Sequence, residues 1–396
     1  MSFVTIAEES RGRAGQFYVP AFELRIEGVG LPRDVVRDAT AITYKDSVKE
    51  IDSFELTVNN WDPDIRSFKY TGDQVPAERA GLFEPSPRPV ELRMGYLGYM
   101  ELMLTGVFTT MAPDFPASGA PTLSVRGLNV LHQLRRKPYT TAWWDRTDSE
   151  IVQDIARRKD KGKKRFPLPI RIDEEAKKHE EAIEYAIQDN QTDLDFILTR
   201  ARRLGYVVYI EEADPQKGRE KALYFGPSGS REQPIAYKLT WGQSLIDFKP
   251  TLTTANQVKS VTVKGWDRAR QREISETVDL TDARVRRLNP DLHDLLQASD
   301  AREEQVVHEP VFSAREARER ATNLLLNRNR QMVKATASTV GLPDLRSGRR
   351  VQITGLGPRF SGTYFITSTT HTFSPSAGYI TRFEARREDQ GEGGAT

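Results

Sequence analysis

No cysteine occurs among the 396 residues. Disulfides, thiolate nucleophiles and thiolate metal sites are thereby excluded, and the chain does not need an oxidising compartment. Histidine is scarce: there are five, and no two stand four residues apart, so the paired-imidazole spacing of a zinc helix does not occur. Neither sign of charge is in excess, since 58 Lys+Arg stand against 56 Asp+Glu for a net of +2. No global field therefore draws the chain to nucleic acid or anionic lipid. No apolar run approaches the roughly 20 residues that span a bilayer. The opening Met-Ser-Phe-Val-Thr-Ile-Ala-Glu-Glu has neither the basic start nor the apolar centre of a secretory leader. The expectation is a protein assembled in the cytoplasm, reaching the outside only as part of something larger.

Alternating β patterns dominate what is present. The C-terminal stretch from Gly341 to Arg387 opens on turns at Gly341-Leu342-Pro343 and Ser347-Gly348, and Val351 and Ile353 then alternate with Gln352 and Thr354. After Ser361-Gly362 comes Tyr-Phe-Ile-Thr-Ser-Thr-Thr-His-Thr-Phe, β-branched and aromatic almost throughout. A turn at Pro375-Ser376-Ala377-Gly378 sends Tyr379, Thr381, Phe383 and Ala385 back. A similar order of events runs from Val90 through Gly106 and Ser118-Gly119 to Val125. Laid over the C-terminal copy, Gly106 falls on Gly362 and Ser118-Gly119 on Ala377-Gly378. Either a β module is duplicated, or two ordinary meanders agree by chance.

At this length two or three domains are expected. Residues 1–137 read as β, with Phe54, Leu56 and Val58 alternating clearly; 71–89 read as a surface loop. Residues 138–245 read as an α+β insert. Thr147-Asp148-Ser149-Glu150 is a capping box ahead of Ile151, Val152 and Ile155. A second helix opens at Thr192, with Asp195 at the box position, and stops at Gly205. Tyr206–Ile210 and Leu223–Gly226 read as a hairpin. Residues 246–396 read as β again, with a polar and helical excursion over about 280–330. In that excursion Asn289-Pro290 opens a short helix, and Ser313 with Glu316 caps a longer one ending near Arg330.

A search for chemistry yields no catalytic, cofactor-binding or metal residue, and no cofactor is expected. Gly-x-Ser-x-Gly, a Walker loop and a dinucleotide fingerprint are all absent from the sequence. Gly355-Leu356-Gly357 lacks the third glycine of a phosphate loop. His132, His179, His293, His308 and His371 are scattered. His179-Glu180-Glu181 starts like a zinc-peptidase helix without its second histidine, and His371 reads as a packed or interface residue. Carboxylates are numerous enough to supply a glycosidase pair, but their commoner role is in caps and solvation. The basic run Arg157–Arg165 reads as a solvated loop after a helix, rather than a surface for DNA or an acidic partner. Trp143-Trp144 reads as a seal between the first β region and the insert rather than a binding platform.

Two motifs carry a resemblance. One is the ending Gly-Leu-Pro-x-Leu-Arg-x-Gly, Gly-x-Tyr-x-Ile-Thr-Ser-x-x-His-x-Phe, Gly-Tyr-x-Thr-x-Phe-x-Ala-Arg-Arg over Gly341–Arg387. The other is Asn190-Gln191-Thr192-Asp193-Leu194-Asp195-Phe196 leading a helix into Gly205-Tyr206. With two β modules around a helical insert, the chain resembles the phage late control protein D family, the baseplate hub of contractile tails. That family is related to the N-terminal hub part of type VI secretion spike proteins. The resemblance implies a mainly β fold with an α+β insert and two similar tube-type β-barrel-like domains per chain. It implies a homotrimer forming a pseudo-sixfold ring, which adapts a hexameric inner tube above to a threefold spike below, among other baseplate proteins. The type VI relatives continue into a needle; with no such repeats before Thr396, the spike is expected to be a separate polypeptide. The particle is a phage tail or an extracellular injection particle, with no direct membrane insertion and no specific nucleic acid bound. Two rivals stand beside this non-enzymatic reading: a tail-tip cell-wall hydrolase, and a nucleic-acid-binding module using residues 157–165.

Overall fold

The computed structural model describes residues 19–388, apart from 74, 167, 214–217, 219, 229–234, 256, 269, 287–301 and 308–310. The expected helix at Asn289-Pro290, along with His293 and His308, lies outside the described residues. The backbone is mainly β, as expected, and its organising element is one 13-stranded sheet. The first half of this sheet holds β1 (Pro20–Ile26), β2 (Ala39–Ser47), β3 (Ser53–Asn59), β4 (Pro89–Tyr96), β5 (Tyr99–Asp114) and β6 (Thr122–Asn129). The second half holds β7 (Ile235–Thr240), β8 (Leu245–Leu252), β9 (Val333–Val340), β10 (Arg350–Thr354), β11 (Gly362–Ser374) and β12 (Gly378–Arg387). A two-residue strand, Val29–Gly30, pairs with β1 to complete the sheet.

The halves repeat one another strand for strand. The spatial order is β1-β4-β5-β6-β3-β2 in the first and β7-β10-β11-β12-β9-β8 in the second. Two irregularities coincide as well, whereas the slips in the β4–β5 and β7–β10 ladders have no counterpart in the other half. The β5–β6 ladder slips between Phe108 and Thr110, and the β11–β12 ladder slips between Ile366 and Ser368. The bulged residue is a threonine in both, and its hydroxyl donates to a carbonyl on the neighbouring strand: Thr109 to Arg126 at 3.4 Å, Thr367 to Glu384 at 3.1 Å. A second matching slip falls at Thr40 in β2 and at Ile246 in β8. Bulges bend and twist a strand locally, so the two halves bend at the same places. In this registration Gly106 matches Tyr364, two residues from the Gly362 that glycine-to-glycine alignment selects, and the hairpins that follow keep step, with Asp114–Thr122 falling on Thr372–Ile380. One pairing differs: β1 runs antiparallel to β4, whereas β7 runs parallel to β10. A helix at Arg33–Asp38 intervenes between β1 and β2, whereas β7 reaches β8 through the short turn of residues 241–244.

Alternation explains each core. Phe54, Leu56 and Val58 are buried with Ile42, Leu92 and Val125 in the first half; Val351, Ile353, Tyr364 and Phe383 are buried in the second. Tyr70 and Phe83, from the stretch read as a surface loop and its approach, are buried against the first core and cap it. The chain enters the second half of the sheet at Ile235, within the segment assigned by sequence to the insert.

Two smaller units hang from the sheet. In the first, Pro138–Arg146 pairs with Ile183–Thr192, and Tyr206–Glu211 with Ala222–Pro227. Both are packed with helices α1 (Asp148–Arg157) and α2 (Asp193–Leu204) over a common core. Both helix starts are as read. Thr147 and Glu150 form a reciprocal box, Thr192 accepts from the Asp195 amide, and Gly205 closes α2 at φ +72°. The second unit has Val258–Asp267 between Arg272–Asp279 and Arg302–Val306, beneath helix α3 (Ala314–Asn329) capped by Ser313. Val258 is therefore a strand, as expected, but in a sheet of its own.

The repeat has a packing test. A Cβ on Gly127 would lie 2.2 Å from the Phe54 ring that covers it. Gly127→Ala should cost about 1–3 kcal/mol in urea unfolding. Combined with Phe54→Leu, it should cost less than the two single losses together.

Candidate functional site

The two halves meet edge to edge where Ser368–Phe373 of β11 pairs antiparallel with Ile42–Ser47 of β2. This seam makes one sheet of two, and Tyr44, Asp46, Thr369 and His371 are buried in it. Arg346 crosses it. Its Nε donates to Asp46 Oδ2 at 2.7 Å and one Nη donates to the Met103 carbonyl at 2.7 Å. The same nitrogen reaches the Tyr44 hydroxyl, and the guanidinium carbon lies 4.6 Å from the Tyr44 ring centroid. Asp46 also accepts from the Ser347 amide at 3.2 Å and from the Thr369 hydroxyl. Arg346 and Ser347 belong to the second half; Tyr44, Asp46 and Met103 belong to the first.

A second carboxyl group lies beside the first. Asp52 accepts from Asn129 Nδ2 at 2.7 Å and from the Ser47 amide at 3.4 Å. Burial, reinforced by the charge of Asp46 and opposed by Arg346, pushes Asp52 up to about 8. One guanidinium thus serves two carboxyl groups, and the less directly paired one holds its proton at neutral pH.

His371 completes the seam. It is fully buried, and burial pushes its pKa down to about 4. Nε2 lies 3.0 Å from the Leu345 carbonyl, so that nitrogen carries the hydrogen of the neutral ring. Nδ1 then accepts from the Tyr379 and Thr381 hydroxyls at 2.9 and 3.1 Å. Tyr96 in turn donates to the Gly341 carbonyl at 2.9 Å. A Cβ on Gly341 would lie 2.1 Å from the Tyr379 ring, so glycine is required by close approach.

The motif Gly341–Gly348 is therefore a clamp. Leu342 and Leu345 anchor it in the second core, Arg346 and Ser347 grip Asp46, and Gly348, at φ +82°, donates to the Ile366 carbonyl. The motif at Asn190–Phe196 is structural too. Thr192 caps α2, Asp193 forms a buried ion pair with Arg165, and Phe196 stacks on Trp143 with centroids 5.4 Å apart.

Other candidates resolve individually. Arg165 is buried in that ion pair, and Lys159–Asp160 with Lys163–Lys164 forms a tight hairpin. The run read as a solvated loop is thus partly structural, and Arg157, Lys159, Lys161, Lys163 and Lys164 are its exposed basic members. Trp143 lies in the core of the insert itself, donating to Asp154 at 2.8 Å, whereas Trp144 is exposed beside Tyr185. The pair is not a seal against the first β region, because successive strand residues face opposite sides. His179 is exposed near Glu175, and among the described residues no three potential ligands gather as a metal group. Sequence reasoning missed Asp46, Asp52 and Arg346; the only available signal was Arg346 within the clamp motif.

The model of the family described as the Alg8 N-terminal domain matches residues 19–375. The chain belongs to that family. Among solved structures, the chain is similar to a tail protein from Neisseria meningitidis MC58, with a TM-score of 0.65 at 13% identity over 93% of this chain and 97% of that one. It is equally similar to the 43 kDa tail protein of prophage MuSo2 from Shewanella oneidensis, with a TM-score of 0.65 at 14% identity over 93% and 98%. An E. coli component of the type VI secretion system, itself described as similar to the T4 tail proteins gp27 and gp5, aligns with a TM-score of 0.55. Its identity is 12% over 94% of this chain and 79% of that one. None of the curated proteins gives a significant match. The baseplate-hub resemblance carried by the two motifs is thus met in the fold. Among the described residues no helix is long and apolar enough to cross a membrane.

Two measurements test the seam. Arg346→Met strands the Asp46 carboxylate and should cost about 3–5 kcal/mol in urea unfolding. Adding Asp46→Asn should recover part of that loss. Asp52 holds its proton to about pH 8 when folded and releases it near 4 when unfolded. Its contribution to stability is therefore complete below pH 4 and lost as pH rises to about 8. The His371 contribution has the opposite sign and is complete above pH 6.5. Between pH 6.5 and 8 the decline belongs to Asp52, and Asp52→Asn should flatten the unfolding free energy across that window.

Proposed function

We propose that the chain is a structural, non-enzymatic hub at the centre of a contractile tail or a phage-derived contractile injection particle. Three copies form a ring of six alike sheet units, with two β-barrel-like units from each chain. The ring accepts a hexameric inner tube on one side and a trimeric spike on the other, within a baseplate. The observation that carries this reading is the strand order used twice, with two matched bulges, in one continuous sheet. A closed ring of three can present sixfold features only when each chain carries the repeating unit twice. The tail-protein fold at TM-scores of 0.65 supports the same reading.

The carboxyl groups at the seam suit a joint better than a hydrolase. Asp46 and Asp52 are buried, and between them they are engaged with partners from both halves. Native mass spectrometry and electron-microscopic class averages of the purified chain test the proposal. The expected result is a three-chain mass with projections of sixfold appearance, and co-purification with a spike protein. A monomer at all concentrations, turnover of peptidoglycan, or DNA binding that weakens steeply with salt would overturn it.

A further inference from the structure

The internal seam uses one edge from each half. Its exact counterparts are the two edges left over. In the first half, β4 covers the outer side of β5 only as far as Val107. From Thr109 to Asp114 that side pairs with no strand among the described residues, and Thr110 and Ala112–Phe115 are exposed. In the second half, β8 pairs with β9 on one side, and from Ile246 to Leu252 its other side is open. By the strand correspondence, β5 is the counterpart of β11 and β8 that of β2. The unpaired edges are therefore the two members of a second seam, held too far apart in sheet order to meet within one chain.

We propose that β8 of one copy pairs antiparallel with Thr109–Asp114 of a second copy, repeating the internal register between chains. The matched bulges fix that register. Ser368 corresponds to Thr110, and Ile42 to Phe248. Transferring the internal pairs then sets Lys249 opposite Asp114, Leu252 opposite Met111 and Phe248 opposite Phe115. The transferred contacts are chemically compatible: one exposed cation meets one exposed anion, and half-buried apolar side chains meet apolar ones. The inference rests on the ring reading and specifies its contact between subunits.

One position makes the two seams unequal. The internal pair His371–Tyr44 transfers to Pro113 opposite Pro250. The ladder bonds flanking each strand show where these backbones point. Asn129 and Asn60 donate across β3–β6, which directs Thr122 and Ser124 toward β5 and leaves Pro113 facing outward. Thr253 donates to Met332, which leaves Pro250 facing outward from β8. Both prolines therefore occupy ladder positions where an N–H would cross the joint, and the seam between chains forgoes two bonds that the internal seam makes. Prolines at this position also blunt an open edge against indiscriminate strand addition. The second seam is thus weaker by construction, and selective for a partner that brings the matching bulge and side chains.

Because the chain has no cysteine, introduced thiols report without background. Asp114 and Lys249 would face each other at a non-hydrogen-bonded position, where Cα atoms lie about 4.5 Å apart, within disulfide reach. Mixing Asp114→Cys chains with Lys249→Cys chains under oxidation should give covalent dimers that neither variant forms alone. A chain carrying both should give a ladder ending at the native copy number. Thr251→Cys in place of Lys249→Cys, two residues out of register, should link several-fold less. Thr43→Cys with Thr372→Cys should link within one chain, as the internal control. Pro113→Thr with Pro250→Thr should raise the multimer fraction several-fold at a given concentration. A native multimer without the Asp114–Lys249 link overturns this seam and leaves the ring standing. A monomer throughout, with the internal link formed, overturns both.

Discussion

The structure depends on a guanidinium largely withdrawn from solvent. Arg346 lies where two sheet edges meet, and its hydrogen-bonding nitrogens are met by a carboxylate, a phenol and a carbonyl contributed by the other half. A buried charge has few tolerable arrangements, because any displacement leaves either it or its partner bare. A strand pair alone could slip along its length; with Arg346 seated on Asp46, slippage would strand both. The ladder supplies the continuity of the sheet, and the ion pair supplies its registration. The clamp Gly341–Gly348 delivers that one side chain from a turn held by Tyr96 on its Gly341 carbonyl, by Tyr237 on its Asp344 carboxylate and by the second core.

Repetition of the fold is recorded less in side chains than in irregularities. Few residues agree between the halves, yet a threonine bulge recurs at Thr109 and Thr367 with the same hydrogen bond. Buried side chains can be exchanged for others of similar volume, whereas moving a bulge would re-aim every residue beyond it. The departure at β1 and β7 falls at the outer strand of each half, where the connection to the next strand was free to change.

Much of this was legible in the sequence where the determinants are local. Thr147, Thr192 and Ser313 mark helix starts through contacts three residues away, and Phe54–Val58 shows its face by alternation alone. Long-range determinants were not. Alternation puts Asp46 on the face of Ile42 and Tyr44, but nothing near it answers its charge, and its partner stands 300 positions later. Val258 reads correctly as a strand, but no local signal says which sheet it joins. Trp143 and Trp144 read as a unit until the strand turns them to opposite sides. The duplication was visible in order and turns, although glycine matching missed the register by two residues. The bulges that set it leave no trace in composition.

The seam also carries a temporal consequence. Asp46 of β2 and Thr369 of its partner β11 stand 323 positions apart, so the first strand is synthesised long before the second. Until then the edge of Ala39–Ser47 has no mate, although its other side can already pair with β3. The nascent chain therefore carries an unfinished β edge until β11 emerges. A chain stopped before β11 keeps that edge unpaired and open to strand addition by another chain.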